Sequence, residues 1–100
     1  MSRTVEWAES ALADLVAQAV HVAMDDPEAA ERVEAAIRAT GDALGDFATG
    51  HPGRVAATYE KSVRGLPYII AYALTDNDQA VSILRVIHAA RDWQAEEWPE

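Results

Sequence analysis

Residues 66–93, LPYIIAYALTDNDQAVSILRVIHAARDW, contain two apolar runs separated by a short polar segment. Both runs are rich in isoleucine and valine, and β-branched side chains suit the pleated surface of a strand. The polar segment, Thr75-Asp76-Asn77-Asp78, has the composition of a tight turn. The stretch therefore predicts a β-hairpin near the C-terminal end of the domain.

Two helices are predicted before this hairpin. From about Ala8 to Met24, apolar residues recur every three or four positions, which is the period of an amphipathic helix. Asp26-Pro27-Glu28 then provides a capping aspartate, a proline in the first turn and a favourable acidic residue. The second helix is predicted to run to about Leu44, with Gly45 as its stop. Because so few residues separate the two helices, they should form an antiparallel hairpin.

The remaining strands are shorter. Residues 3–7 alternate between polar and apolar side chains and predict a strand, and residues 54–63 predict a weaker one after a loop at residues 47–53. The expected order is β-α-α-β-β-β, an α+β fold in which two helices cover a mainly antiparallel sheet. At 100 residues, the chain is expected to be a single domain, 1–100, in which residues 93–100 are a C-terminal tail.

The two C-terminal strands are apolar on both faces. By strand parity, Arg85 lies among apolar residues on one face of its strand, and neither strand alternates apolar with polar residues as a half-exposed strand would. Two helices can cover one face only, so the other face is expected to be exposed as a partner site. The candidate contacts are Tyr68, Ile70, Tyr72, Ile83 and Ile87. The alternative is that residues 94–100, which include Trp98, fold over this face.

The charge of the chain argues against nucleic acid as a partner. The formal net charge is −9, and residues 1–50 contribute −7 of it, from three arginines and ten acidic residues. Binding to phosphates normally requires a basic patch. No apolar run approaches the roughly 20 residues of a membrane span, and no leader segment is apparent. With no cysteine, the expectation is a soluble, cytoplasmic protein without disulfides.

The C-terminal third resembles the ParE branch of the RelE/ParE superfamily of type II toxin–antitoxin systems. Pro67–Tyr72 is similar to the Pro-Tyr-Ile-aliphatic-aliphatic-Tyr strand of that branch. Ile83–Trp93 is similar to its last strand and its small-small-Arg-Asp-Trp tail. VEWAESALADL, residues 5–15, and DPEAAERVEAAI, residues 26–37, resemble its opening and its second helix. The resemblance covers nearly the whole chain and implies the same order of elements.

The resemblance implies a toxin that inhibits DNA gyrase without performing chemistry, together with a ParD-like antitoxin that neutralises it. On this reading there is no cofactor, metal or catalytic residue. The candidate target surface lies where the family pattern is densest, at Arg85, His88, Arg91, Asp92 and Trp93. Two alternatives stay open: a RelE-like, ribosome-dependent mRNA endonuclease, and a non-toxic homologue that still binds an antitoxin.

The endonuclease alternative depends on Arg85 and His88. Cleavage of RNA by these relatives requires groups that move protons and cations that stabilise the phosphorane. Arg85 and His88 resemble part of such a cluster, with Arg91 nearby, but Lys61 is the only lysine of the chain. The structural alternatives are an ion pair of Arg85 with Glu60 or Asp92, and a strand-end hydrogen bond for His88. His21 and Asp25 could share a metal, but two ligands are too few.

Overall fold

The computed structural model describes residues 3–53 and 55–90. Its elements, in chain order, are β1 (Thr4–Trp7), α1 (Glu9–Ala23), α2 (Pro27–Ala43), β2 (His51–Pro52), β3 (Tyr59–Ser62), β4 (Tyr68–Thr75) and β5 (Ala80–His88). The five strands form one sheet with the order β1-β5-β4-β3-β2. The predicted α+β fold is confirmed, with one more strand than expected.

The start of α2 follows the predicted capping pattern. The Asp26 side chain accepts hydrogen bonds from the backbone N–H groups of Glu28 and Ala29, each at 3.1 Å. These bonds satisfy amide groups that the first helical turn leaves without partners. The helix ends at Ala43, one residue before the predicted boundary.

Gly45, predicted as a helix stop, is in close contact with the N-terminal strand. The Gly45 carbonyl accepts a hydrogen bond from the N–H of Arg3 at 2.6 Å. A Cβ at this position would lie 2.8 Å from the Arg3 carbonyl oxygen and 2.9 Å from Cγ2 of Val5. Glycine is therefore required here by the close approach of two backbones.

The predicted C-terminal hairpin is confirmed. Strands β4 and β5 pair antiparallel from Tyr68↔His88 to Thr75↔Ala80. Asp76, Asn77 and Asp78 in the turn have φ values of 54°, 55° and 66°. Asn and Asp tolerate this left-handed region better than most residues with a side chain, which explains the composition of the turn.

The weaker predicted strand is shorter in the structure. Residue 54 lies outside the described residues, and within residues 55–63 the strand comprises Tyr59–Ser62, which pairs with β4. The predicted loop at 47–53 contains the two-residue strand His51–Pro52, which pairs with Tyr59 and Glu60. A strand this short is defined by its partner alone, so no periodicity in the sequence could indicate it.

A β-bulge changes which side chains of β5 face the helices. The register shifts where Ala71 pairs with Arg85 and Tyr72 pairs with Ile83, so Leu84 has no partner on β4. After the bulge, Val86 joins Val81 and Ile83 in the core cluster. The prediction from parity, which grouped Arg85 with Val81 and Ile83, is therefore wrong beyond Ile83, because an inserted residue reverses the alternation.

The core lies between the helix pair and one face of the sheet. The buried cluster contains Ala11, Leu15, Val33, Ile37, Leu44, Val63, Tyr68, Ile70, Tyr72, Val81, Ile83 and Val86. Helix α2 crosses Trp7 at Gly41, where a Cβ would lie 2.8 Å from Cδ1 of Ile83. The Trp7 indole N–H donates to Asp42 at 3.0 Å, and the Arg38 guanidinium lies 5.2 Å from the ring centroid.

Candidate functional site

Arg85 is held by an ion pair with α1. Its Nε lies 2.6 Å from Oδ2 of Asp14, and its Nη2 donates to Oδ1 at 3.2 Å. Both side chains are largely buried, with 23% of Arg85 and 18% of Asp14 exposed. An ion pair was one sequence-based alternative for Arg85, and the structure shows one with Asp14, a partner that the sequence did not indicate. Asp92, one of the two expected partners, lies outside the described residues.

Asp14 also belongs to a row of bonds between α1 and the edge of β5. The N–H of Val86 donates to Oδ2 of Asp14 at 2.9 Å. The Ile83 carbonyl accepts from the N–H of Ala8 at 2.9 Å, and the Leu84 carbonyl accepts from the Ser10 hydroxyl at 2.7 Å. Strand β1 pairs with β5 only up to Ile83. The start of α1 therefore covers the part of this edge that β1 leaves unpaired.

His88 ends β5 in a structural contact. Its ring meets the ring of Tyr68 edge-on, with centroids 5.5 Å apart and planes at 90°. Its Nδ1 accepts a hydrogen bond from the N–H of Ala90 at 3.2 Å. The predicted strand-end hydrogen bond is confirmed. Arg85 and His88 thus contact different elements, α1 and β4.

The other three candidate target residues, Arg91, Asp92 and Trp93, lie outside the described residues, as does the tail at residues 94–100. The predicted role of this segment as a target surface, and the alternative in which the tail covers the sheet, therefore stay predictions.

The structure corrects the expected location of the exposed apolar surface. Tyr68, Ile70, Tyr72, Ile83 and Ile87 were expected to form an open face, but each is at most 5% exposed. Four of them belong to the core cluster beneath the helices, because the predicted apolar face of β4 is the face that the helices cover. Their assignment to an antitoxin contact stays a prediction, and their burial argues against it.

Tyr72 is the clearest electrostatic feature of this core. Its hydroxyl donates to the Thr49 carbonyl at 2.8 Å, and its ring stacks on Tyr59 at 5.5 Å. Burial raises the pKa of Tyr72 above its ordinary value of 10.0, and the neighbouring Tyr59 adds to the rise, while Arg3 opposes it. The phenol therefore stays protonated and acts as a hydrogen-bond donor.

The exposed apolar surface lies mainly on α1. The large hydrophobic side chains that the described residues expose are Leu12, Val16, Val20, Met24 and Phe47. The sequence pattern placed Leu12, Val16 and Val20 on the same helix face as Ala11 and Leu15, whereas the residues that α1 buries are Ala11, Leu15 and Gln18. The missed signal is the width of the apolar pattern, which is more than one core-facing stripe requires. Its positions are Ala8, Ala11, Leu12, Leu15, Val16, Ala19, Val20 and Ala23.

The described residues hold neither a group of three His, Asp or Glu side chains placed to bind a metal nor a helix long and apolar enough to cross a bilayer. Within residues 3–53 and 55–90, Asp14 of α1 bonds to the edge of β5 at Arg85 and Val86, and α1 has an exposed apolar face. Such a surface can bind a protein partner.

Comparisons with known proteins agree with this arrangement. Residues 5–93 match the family described as the ParE toxin of the type II toxin–antitoxin system parDE. The chain is 40% identical to the putative toxin Y4kP of Sinorhizobium fredii over 93% of this chain and 96% of the relative. It is 36% identical to the toxin RelE2 of Caulobacter vibrioides over 87% of this chain and 96% of that protein.

Solved structures share the fold. A chain of the chromosomal ParDE system from P. aeruginosa superposes with a TM-score of 0.79 at 23% identity, covering 87% of this chain and 96% of that chain. A chain of the toxin–antitoxin complex RelBE2 from Mycobacterium tuberculosis has a TM-score of 0.60 at 26% identity, covering 88% and 92%. The match over nearly the whole sequence, with the shared fold, shows that this chain belongs to the ParE toxin family of type II toxin–antitoxin systems.

Proposed function

We propose that this chain is a non-enzymatic toxin that inhibits DNA gyrase in the cytoplasm and is neutralised by a ParD-like antitoxin. The observation that carries the proposal is the ion pair between Arg85 and Asp14. A cation that stabilises a phosphorane must be directed at the substrate. The carboxylate of Asp14 already accepts two hydrogen bonds from the Arg85 guanidinium.

The contacts of His88 support the same proposal. A general acid or base must reach the proton that it transfers. One ring nitrogen of His88 accepts the N–H of Ala90, and the ring is packed against Tyr68. The Arg85 side chain therefore contacts α1 and the His88 side chain contacts β4, which favours a structural role for both.

The charge of the chain also favours a protein target over RNA. With a net charge of −9 and one lysine in 100 residues, the chain lacks the excess of cations that drives binding to phosphates. Inhibition of an enzyme by direct contact needs no such excess, because protein interfaces rely on buried apolar anchors surrounded by polar residues.

The antitoxin part of the proposal rests on the family and its structures. The family description names the parDE pair, and the M. tuberculosis relative was solved as a toxin–antitoxin complex at 26% identity to this chain. An exposed apolar helix face on this chain is the kind of surface that a dedicated partner would cover.

A RelE-like mRNA endonuclease is the second candidate. It is favoured by the 36% identity to a protein named toxin RelE2. The two candidates differ in whether message is cut on the ribosome, and in whether His88 is required for it.

The decisive experiment combines growth, supercoiling and message decay. Induced expression should arrest bacterial growth, and the purified chain should inhibit supercoiling by gyrase while leaving ribosome-bound message intact. Wild type and His88→Gln should behave alike in all three assays, with a melting curve to verify that the variant is folded. Site-specific cuts in ribosome-bound message that disappear in His88→Gln would establish the endonuclease instead. Absence of growth arrest, with antitoxin binding intact, would indicate the non-toxic homologue.

A further inference from the structure

A cleft lies between the end of α2 and the strand β3. Its volume is about 720 Å³, which is within the range of sites that bind small molecules. Helix α2 contributes Ala43 and Leu44 to the lining, the segment after it contributes Phe47, and β3 with the turn that follows contributes Lys61 and Arg64. None of the described lining residues belongs to α1. We call this site the α2–β3 cleft.

The walls of the α2–β3 cleft are held by bonds of the fold. The Thr49 carbonyl, in the segment after α2, accepts a hydrogen bond from the Tyr72 hydroxyl at 2.8 Å. The N–H of Phe47 donates to the Ala43 carbonyl at 3.1 Å, and β3 pairs with β4 along its whole length. The cleft is therefore formed without a ligand, and a ligand that enters it need not order these walls.

Two cations at the strand side distinguish this cleft within an acidic chain. Lys61 is the only lysine among 100 residues with a net charge of −9, and Arg64 comes shortly after β3. Within residues 3–53 and 55–90, neither side chain forms an ion pair, and no acidic residue is among those that line the cleft. Two cations that share a cleft without an acidic partner favour an anionic ligand.

The pairing of β3 with β4 directs Lys61 and its acidic neighbour Glu60 to opposite faces of the sheet. Lys61 lies opposite Ile70, a core residue beneath the helices, and directly opposite residues of an antiparallel pair share a face. Glu60 lies opposite Ala71 and, because side chains alternate along a strand, belongs to the other face. The Glu60 carboxylate is therefore directed away from the cleft.

The helix side of the cleft is apolar and determines how a ligand would be oriented. Leu44 is buried, whereas Phe47 is 74% exposed and offers an aromatic surface. The C-terminal end of a helix carries partial negative charge, so an anionic group is disfavoured at the end of α2. A ligand with one anionic end fits with that end at Lys61 and Arg64 and with its apolar body against Leu44 and Phe47.

We propose that the α2–β3 cleft binds a small organic anion, an aromatic or aliphatic body that carries a carboxylate or a phosphate. The Lys61 ammonium and the Arg64 guanidinium would hold the anionic group, and Leu44 and Phe47 would contact the body. This inference goes beyond the proposed function, because it concerns neither gyrase nor the antitoxin. A ligand that binds the folded chain alone would also raise its melting temperature.

The test uses the full chain and three naphthalene probes that carry different groups on the same ring carbon. They are naphthoate, naphthyl phosphate and the neutral naphthalenemethanol. Calorimetry should give a dissociation constant below about 1 mM for at least one anion, an ordinary affinity for a ligand of this size. The neutral probe should bind at least about tenfold more weakly. The tighter of the two anions identifies carboxylate or phosphate as the preferred group.

Charge-matched variants test the two cations. Lys61→Gln/Arg64→Gln should weaken binding of the anionic probes at least about tenfold, since each anion loses its charge-assisted hydrogen bonds. Binding of the neutral probe should be unchanged. Arg32→Gln/Arg38→Gln removes the same charge from exposed positions of α2 that are not among the described lining residues. It should bind all three probes like the wild type, and melting curves verify that both double variants are folded.

Phe47→Ala tests the apolar side of the cleft. The position is so exposed that the substitution leaves the core intact. All three probes should bind about threefold more weakly, because each loses a contact with the aromatic ring. Unchanged binding of all three would overturn the proposed orientation of the ligand.

The inference is wrong if no probe binds, if the neutral probe binds as tightly as the anions, or if Lys61→Gln/Arg64→Gln binds the anions like the wild type. It is also wrong if the anions bind only to a chain truncated after Trp93. Residues 94–100 contain three glutamates and Trp98, so the chain itself would then supply the occupant of the cleft. These outcomes leave gyrase inhibition and antitoxin binding untouched, so the proposed function is tested separately.

Discussion

The hydroxyl of Tyr72 is a polar group inside the core whose position depends on one hydrogen bond. It donates to the Thr49 carbonyl at 2.8 Å, in the segment that leads from α2 to β2. A buried donor loses its hydrogen bonds to water on folding, and without a partner in the protein that loss would destabilise the fold. This bond therefore connects the centre of the sheet to a segment with little regular structure.

We expect Tyr72→Phe to lower the free energy of unfolding by about 1 kcal/mol at neutral pH, the typical contribution of such a bond. The pKa of Tyr72 is raised in the folded state, so the unfolded chain releases this proton at lower pH than the folded one. The stability that this raised pKa contributes is fully present below the pKa of the unfolded state, near 10.0. It is lost as the pH rises through the pKa of Tyr72 in the folded state.

Denaturant titrations across alkaline pH test this expectation. Wild type should lose more stability than Tyr72→Phe as the pH rises above 10.0. When phenolate absorbance is followed against pH, the step at the highest pH should be present in the wild type and missing in Tyr72→Phe. Tyr59→Phe, which removes the stacked neighbour, serves as the comparison. Equal alkaline losses in wild type and Tyr72→Phe would show that another group is responsible.

At the scale of elements, α1 acts as a cover for the edge of β5. Its contacts with Ile83, Leu84 and Val86 replace the bonds that a neighbouring strand would supply. An unpaired strand edge is a template for unwanted pairing with other chains. Asp14 is central to this cover because one carboxylate binds both the amide of Val86 and the guanidinium of Arg85.

We expect Asp14→Ala to lower the free energy of unfolding by about 2 kcal/mol, because it removes the carboxylate that accepts from the buried Val86 amide and pairs with Arg85. Hydrogen exchange at the Val86 amide should accelerate selectively. Asp14→Asn retains an acceptor and should lose less stability. Asp25→Ala, at an exposed position after α1, should be close to neutral. If Asp14→Ala and Asp25→Ala are equally stable, the edge contacts contribute little.

The elements with strong local signals could be predicted from the sequence. Asp26-Pro27 determines the start of α2, and the Asp-Asn-Asp turn determines the C-terminal hairpin, because each depends on neighbouring residues alone. The bulge at Leu84 and the two-residue strand at His51–Pro52 could not be predicted, since both are defined by pairing with distant residues. The same limit applies to the Asp14 partner of Arg85, which is 71 positions away.

For a related reason, the sequence predicted the exposed apolar surface on the sheet rather than on α1. Sequence parity indicated that the sheet has more apolar surface than two helices can cover, but it could not indicate which of the two faces the helices occupy. Nor could the spacing of α1 separate its buried side, with Ala11 and Leu15, from its exposed side, with Val16 and Val20. Each side alone has helical periodicity, so only packing distinguishes them.

At the scale of the whole molecule, the two proposed activities use different regions of the chain. The exposed apolar surface that we expect an antitoxin to cover lies mainly on α1, whereas the candidate target residues at positions 91–93 come after β5 in the sequence. Residues 51–100 carry a net charge of −2, from five basic and seven acidic residues, against −7 for residues 1–50. The less acidic C-terminal half is therefore better suited to approach an acidic protein target.

This separation predicts that toxicity and neutralisation can be lost independently. Arg91→Ala, and a chain truncated after Trp93, should inhibit gyrase less and arrest growth less while binding the antitoxin as the wild type does. Val16→Glu/Val20→Glu should remain toxic and escape neutralisation, since its substitutions lie on α1. Gyrase supercoiling, growth with and without the antitoxin, and melting temperature are measured for each variant. Loss of both functions in a folded variant of either group would mean that one surface serves both partners, and full toxicity of both C-terminal variants would place the target contacts elsewhere.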